Sequence, residues 1–395
     1  MPPAAANRVP FHVMLKPSGP RCNLACDYCF YLGKTALYPE VRRFRMSDAV
    51  LETYIRDHIA AHAEIGLNEV MFVWQGGEPT LLGLPFFHRV LEVQRRHCPA
   101  GFRVSNAIQT NGVLLTPEWA AFLREAGFLV GISLDGPQAL HDRHRVDRAG
   151  RPSHDAVMRG LDLLRRHGVE FNALCVVHAH NVLKPKEVYR FLRAEGVEFV
   201  QFIPLVDPVP GGGGAVTPAS VPPAAFGRFL CTVFDLWVSH DVGRVFVQFF
   251  DEQLALWMGR PASLCVFAEV CGPALALEQN GDLYACDHFV DPDHRLGNIL
   301  EQPLAQMAWS DRQARFGAAK ADLPRQCLEC PTRFACNGGC PKDRILPTSD
   351  GAPGLNYFCA SYRQFFAHAG PKLRQMAGLI AAGYPAAQIM RPASR

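Results

Sequence analysis

The chain has no apolar run approaching the roughly 18 residues that cross a bilayer. Its N-terminus, Met1-Pro-Pro-Ala-Ala-Ala-Asn-Arg-Val-Pro10, lacks the apolar core of a secretory signal. These two absences predict a cytoplasmic protein with no membrane partner. Charge is also scarce: 19% of residues are charged and the formal net charge is only +3, so composition offers nothing to hold a nucleic acid. With 49% hydrophobic residues, the disordered and coiled-coil classes are excluded as well. What the chain has in abundance is cysteine, 14 residues of 395. In a reducing compartment these are expected to serve metals or catalysis rather than disulfides.

Cys22, Cys26 and Cys29 stand on one short loop with C-x3-C-x2-C spacing. Thiolates are natural ligands of iron–sulfur clusters. Three of them hold three corners of a cubic cluster and leave the fourth iron open to a chelating ligand, as an open metal site is in catalysis. A structural zinc loop is the alternative, although zinc sites favour a Cys pair answered by a second Cys or His pair.

The length fits one large α/β barrel plus something smaller. From residue 11 to about 206, apolar strands alternate with amphipathic helices, which argues for a parallel sheet. Strands are expected near Phe11–Lys16, Glu69–Trp74, Arg103–Gln109, Leu129–Leu134, Glu170–Val177 and Phe199–Pro204. Helices are expected at Ser47–Ala63 and Pro117–Ala126, capped by Ser47 and Thr116, and at His154–His167, closed by Gly168. Gly76-Gly77-Glu78-Pro79, Thr110-Asn111-Gly112 and Asp135-Gly136 all follow strand ends, where (β/α) barrels build their sites. His141, His144 and His154 cluster in sequence, but their Arg- and Asp-rich surroundings read as a solvated loop.

Residues 207–260 read as a linker followed by connecting helices. The run Gly211–Gly214 lacks the Gly-Lys-Ser/Thr of a phosphate loop. Beyond it, a loop-rich segment, 261–361, carries Cys265, Cys271, Cys286, Cys327, Cys330, Cys336, Cys340 and Cys359, and residues 362–395 form a closing helix and tail. Eight thiols are the number that fully ligates two four-iron clusters; two zinc sites are the alternative. Spacing alone does not say which thiols share a cluster. Cys98, Cys175 and Cys231 are left over, and their apolar or helix-like settings suggest inert buried thiols.

The run Lys16-Pro-x-Gly-x-x-Cys-Asn-Leu-x-Cys-x-Tyr-Cys-Phe-Tyr-Leu32, with Gln75-Gly-Gly-Glu-Pro79, Gln109-Thr-Asn-Gly112, Ser133-Leu-Asp-Gly136, Gln201-Phe-Ile-Pro204 and Cys286-Asp287-His288, resembles the anaerobic sulfatase-maturating enzymes. These are members of the radical S-adenosylmethionine (SAM) superfamily with a C-terminal SPASM domain. The resemblance spans about residues 11 to 365. It implies a partial (β/α)6 barrel over 11–206 after a tail, 1–10, then a small SPASM domain with two auxiliary clusters. It further implies three [4Fe–4S] clusters and SAM as cofactors, with SAM contacts at Tyr28, Gly77, Ser133, Arg145 and Leu205. Asp135 matches a further SAM-contact position. Cys265, Cys271, Cys286 and Cys340 would hold one auxiliary cluster, and Cys327, Cys330, Cys336 and Cys359 the other.

By the same resemblance the enzyme converts a cysteine or serine of a sulfatase to Cα-formylglycine without oxygen. A 5′-deoxyadenosyl radical abstracts hydrogen from the target Cβ, Asp287 accepts the thiol or hydroxyl proton, and the remaining electron leaves through the auxiliary clusters. A sulfatase polypeptide with a Cys/Ser-x-Pro/Ala-x-Arg motif is the expected partner, beside an electron donor such as flavodoxin or ferredoxin. A SPASM enzyme that crosslinks or epimerises a ribosomal peptide shares every cluster ligand and stays open as a rival, as does a non-catalytic electron carrier or zinc-binding module. Taken as a side chain alone, Asp287 also suits a turn cap.

Overall fold

The computed structural model describes residues 8–391, so most of the tail 1–10 and the last four residues lie outside the described residues. The chain forms two compact units. The first comprises the residues up to Ser133, His144–Phe171 and Gly272–Ala319; the second comprises Leu134–Arg143, Asn172–Cys271 and the residues from Lys320 on.

In the first unit the strands β1 (His12–Lys16), β2 (Glu69–Trp74), β3 (Arg103–Thr110) and β4 (Phe128–Ser133) lie parallel in that order. Alternation builds them: Val70, Phe72 and Trp74 of β2 are buried, while Met71 faces out. The helices between them start where the sequence puts caps. Ser47 Oγ accepts the Val50 N–H ahead of the helix Asp48–Glu64, and Thr116 Oγ1 accepts the Trp119 N–H ahead of Pro117–Glu125. Gly168, at φ +64°, closes the turn after the helix His154–Arg166.

The second unit holds β5 (Phe171–Val177) from its second residue on, with β6 (Phe199–Pro204) and β7 (Phe246–Val247), again parallel. Its core lies among the helices Pro223–His240, Gln248–Trp257 and Cys359–Ala381, where Phe250 stacks on Phe365 at 5.6 Å and meets Phe234 edge-on at 5.3 Å. All six expected barrel strands form, with ends shifted by a residue at most.

The cysteine-rich segment holds more regular structure than its loop-like composition suggests. In the first unit, Ala274–Glu278 forms β8, which runs parallel to β1 in unbroken register from His12↔Ala274 to Lys16↔Glu278. An Asn280-Gly281 turn then reverses the chain into β9 (Asp282–Tyr284), which pairs with β10 (Arg295–Asn298). The strand signal was present in the apolar Ala-Leu-Ala-Leu run and the Asn-Gly pair; dense cysteines obscure it.

Gly281 sits at φ +91°, and a Cβ there would meet Asn298 Oδ1 at 2.8 Å. A β-branched residue fits neither the backbone nor the space. Gly281→Val is therefore expected to cost about 1–3 kcal/mol, read as a lowered thermal unfolding midpoint; an unchanged midpoint would show that the hairpin does not depend on this turn.

Candidate active site

The loop with Cys22, Cys26 and Cys29 leaves β1 directly, and all three thiols are half-buried. Local hydrogen bonds fold it: the Cys29 N–H donates to Cys26 O at 3.1 Å, and the Leu24 N–H points at Cys22 Sγ at 3.3 Å. Burial pushes the Cys22 thiol up to about 12, with Glu78, Cys26 and Cys29 adding to the rise. Burial also raises Cys29, against the pull of the Arg145 and Lys16 cations. Thiols this hard to ionise in the bare protein, yet gathered on one loop, suit a metal cluster that supplies the positive charge.

Gly77 fixes this loop from the neighbouring strand. Its N–H donates to Gly19 O at 2.8 Å, and the Glu78 N–H donates to Arg21 O at 2.9 Å. A Cβ on Gly77 would lie 2.1 Å from Arg21 O, so the glycine is required by the approach of the cysteine loop's own backbone. Glu78 is fully buried and fully satisfied: its carboxylate accepts from the Thr80 N–H and hydroxyl, the Thr110 hydroxyl and the Asn111 N–H, at 2.6–3.0 Å. Burial nevertheless raises its pKa. Asn111 Nδ2 in turn donates to Asn23 Oδ1 at 2.8 Å, beside Cys22.

Asp287 is 5% exposed and forms an ion pair with Lys16, which is 1% exposed at the end of β1. The Lys16 ammonium also donates to Gln75 Oε1 and lies 4.5 Å from the Tyr31 ring centroid. Gln75 Nε2 passes the network to Gln109, and the Tyr31 hydroxyl donates to Glu278 Oε1. Burial pushes the Glu278 carboxyl up to about 8; Lys16 opposes the rise and Asp287 adds to it. Sequence reasoning gave no role to Lys16, Gln75, Tyr31 or Glu278. The signal was a lysine ending an apolar strand, where an unpaired charge is costly.

Of the other expected contacts, Tyr28 has Arg145 over its ring at 5.6 Å and His144 beside it, and Arg145 itself is buried. Ser133 is buried at the end of β4, while Leu205 follows β6 and donates its N–H to Val177 O at 2.9 Å. Asp135 is fully buried and accepts the Val176 N–H. The histidine segment is not the solvated loop that its charge predicts. His141, His144 and His154 are all buried, because His141 Nδ1 accepts the Asp135 N–H and His144 Nδ1 meets Asp27 at 2.7 Å. Among the leftover cysteines, Cys175 and Cys231 are buried as expected, whereas Cys98 is only half-buried.

In the second unit, Cys327, Cys330, Cys336 and Cys359 line one cavity of about 240 Å³. Burial pushes Cys336 up to about 12, and the other three add to that rise. Cys265, Cys271 and Cys340 form another group, each close enough to raise or be raised by a neighbour in it. The Lys320 ammonium, 1% exposed, donates to three carbonyls of the Cys265 loop, those of Cys265, Val266 and Ala268. The Arg344 guanidinium donates to Gly338 O, Asn337 O and Asp322 O at 3.1–3.2 Å. Both cations face the thiols electrostatically, as anionic thiolate-held clusters require. Cys286 stands on the turn after β9, directly before Asp287. Among the described residues none of the fourteen cysteines is in a disulfide, which fits iron–sulfur ligation by the thiol groups.

Residues 17–192 match the Radical SAM superfamily, and residues 269–331 match SPASM, an iron–sulfur cluster-binding domain. A serine-type anaerobic sulfatase-maturating enzyme of Bacteroides thetaiotaomicron is 46% identical over 376 residues, covering 92% of this chain and 90% of that one. The chain belongs to the anaerobic sulfatase-maturating enzymes. A cysteine-type maturase of Clostridium perfringens is 34% identical, covering 94% of this chain and 99% of its own. The solved structure of native anSMEcpe with bound AdoMet matches at TM-score 0.84 and 34% identity over 93% of this chain and 100% of that one. The expected fold class, a radical SAM region with a parallel sheet followed by a SPASM region, is borne out, and AdoMet and iron–sulfur clusters are the cofactors of this maturase.

Two outcomes follow for the site. Glu78→Ala leaves four donors without their acceptor; it is expected to cost about 2–4 kcal/mol and to lower iron content after anaerobic reconstitution, and full iron content would separate Glu78 from the cysteine loop. Glu278 tests the buried charge. Its carboxyl titrates near 8 folded against 4.5 ordinarily, so the folded state holds the extra proton and stability falls as pH rises through that window. Glu278→Gln has nothing to ionise there, so its thermal midpoint should gain on the wild type from pH 5.5 to 8.5; a constant difference would refute the raised carboxyl.

Proposed function

We propose that this maturase oxidises a serine or cysteine of a sulfatase polypeptide to Cα-formylglycine without oxygen. The observation that carries the reading is Asp287, a buried carboxylate paired with Lys16 and directly following Cys286. A relative of 34% identity is solved with AdoMet and the Kp18Cys peptide together, which supports a peptide substrate. Serine-type relatives reach 46% and 40% identity against 34% for a cysteine-type one, so serine is the favoured target.

In this reading Cys22, Cys26 and Cys29 hold the cluster that meets SAM, and Tyr28, Gly77, Ser133, Arg145 and Leu205 bind SAM. The eight cysteines from Cys265 to Cys359 hold two auxiliary clusters, making three [4Fe–4S] clusters in all. When bound, SAM and the clusters supply the hydrogen-abstracting radical and take up the remaining electron. Asp287 accepts the hydroxyl or thiol proton of the target. Lys16 aims that carboxylate, and Gln75 and Tyr31 hold Lys16, so the base cannot swing away from the substrate. A flavodoxin or ferredoxin supplies electrons, and the setting is cytoplasmic.

The test incubates reconstituted enzyme, SAM and reductant with Ser-x-Pro-x-Arg and Cys-x-Pro-x-Arg peptides and reads product mass. Loss of about 2 Da from the serine peptide is expected from its oxidation to an aldehyde; no aldehyde from either peptide would sink the reading, and a crosslink or epimer would favour the rival SPASM chemistry. Asp287→Asn should still release 5′-deoxyadenosine while formylglycine falls about 10²–10⁴-fold, the range of a general base. Undiminished product in that variant removes Asp287 from the chemistry.

A further inference from the structure

A second cavity, of about 420 Å³, lies wholly within the second unit, between the N-terminal ends of β5 and β6 and the helix Gln248–Trp257. It sits at the opposite end of β6 from Leu205, about 13 Å away for a four-residue offset along a strand. None of the residues assigned above to clusters, SAM or proton transfer lines it.

Carboxylate and amide acceptors share the cavity wall with apolar residues such as Val200, Ala255 and Leu264. Asp251 has no hydrogen-bond or ion-pair partner among the described residues, and burial alone pushes its carboxyl up to about 7, with no neighbouring cation pulling it back. Its neighbour Glu252 shows the contrast: that carboxylate is consumed by the Ser263 N–H and hydroxyl and the Leu264 N–H, which fix the adjoining wall. Asn172 Oδ1 is enclosed and unpartnered, and Gln201, from the Gln-Phe-Ile-Pro run that the maturase reading leaves without a role, turns to the same space. Beside these acceptors, Phe199 and Phe246 stack at 4.8 Å with 11° between their planes, yet stay 47% and 39% exposed.

Asp251 is half-buried, and a carboxylate drawn partly out of water is stabilised by a paired cation. Here the missing partner is a cation with several N–H donors and a flat face. A hydrated metal ion does not suit the site, because the aromatic pair supplies no ligands and hard cations ask for six or more oxygens. An arginine-type group does: its planar guanidinium offers a fork of donors to a carboxylate and amide oxygens and stacks on aromatic faces.

We propose that this cavity is a binding site for a guanidinium cation, which pairs with Asp251, donates to Asn172 and Gln201, and lies against Phe199 and Phe246. The same chemistry comes from an arginine side chain of a polypeptide or from a small free guanidine, and the measurement separates the two. The site is independent of the maturation chemistry at the other end of the strands.

The test titrates anaerobically reconstituted enzyme with argininamide by calorimetry, beside citrullinamide, its neutral isostere, lysinamide, and the capped peptide acetyl-Ala-Arg-Ala-amide. Argininamide is expected to bind at least 10-fold more tightly than citrullinamide and lysinamide. Asp251→Asn should remove that preference while 5′-deoxyadenosine formation stays at the wild-type rate, which also shows the variant folded. Tighter binding of the peptide than of argininamide assigns the site to a polypeptide arginine, and equal binding assigns it to a free guanidine. Equal affinity for argininamide and citrullinamide in the wild type overturns the proposal without any variant. So does lysinamide matching argininamide, or an Asp251→Asn enzyme that keeps the preference.

Discussion

The structure depends on a buried ammonium. Lys16 ends β1 inside the protein, and a lone charge taken out of water costs several kcal/mol unless it is paired. Its partners come from two distant parts of the chain: Gln75 and Tyr31 from the barrel half, and Asp287 from the cysteine-rich half. The strand register makes this possible, because β8 runs beside β1 and sets Glu278 opposite Lys16. The Asn280-Gly281 hairpin then returns the chain to deliver Cys286 and Asp287. One charge requirement therefore ties the start of the cysteine loop to the residue proposed as the base.

The thiols pose the converse problem. Cys22 and Cys336 are each pushed up to about 12 by burial, so the bare protein keeps each one protonated beside the other thiols of its own group. Gathering several such groups lowers the stability of an ionised bare state. Ligation reverses the sign, because each thiolate then faces metal charge instead of another thiolate. Lys320 and Arg344 act in the same direction from the protein side. Both are held by backbone carbonyls rather than carboxylates, so their full charge is left to act on the thiols.

Much of this was legible in the sequence because periodicity and capping are local. The six barrel strands, the Ser47 and Thr116 caps and the two cysteine fields all depend on residues within a turn or two of each other. What was not legible depends on register between segments far apart. Nothing near Lys16 in the chain says that Glu278 lies opposite it, and β8 was hidden because its run is short and set among cysteines. The histidine segment misled for a related reason. Its Arg and Asp content reads as solvated, but His141 and His144 are buried by partners at Asp135 and Asp27. Gly77 is expected from its motif to meet SAM, and what approaches it within the chain is the Arg21 carbonyl, a contact no local pattern announces.

Three buried acids and the half-buried Asp251 show how environment assigns their work. Glu78 accepts from four donors and holds its loop, so any change of charge would break the loop it supports. Glu278, pushed up to about 8 by burial, serves as the acceptor for Tyr31. Asp287 balances Lys16 and directly follows Cys286; a proton taken up there leaves no cation unpaired, because Gln75 and the Tyr31 ring still hold Lys16. Among the described residues Asp251 has neither a donor nor a counter-charge. Three of these acids are completed by the chain itself. The fourth has no such partner among the described residues, and the aromatic pair beside it suits the flat cation proposed for its cavity.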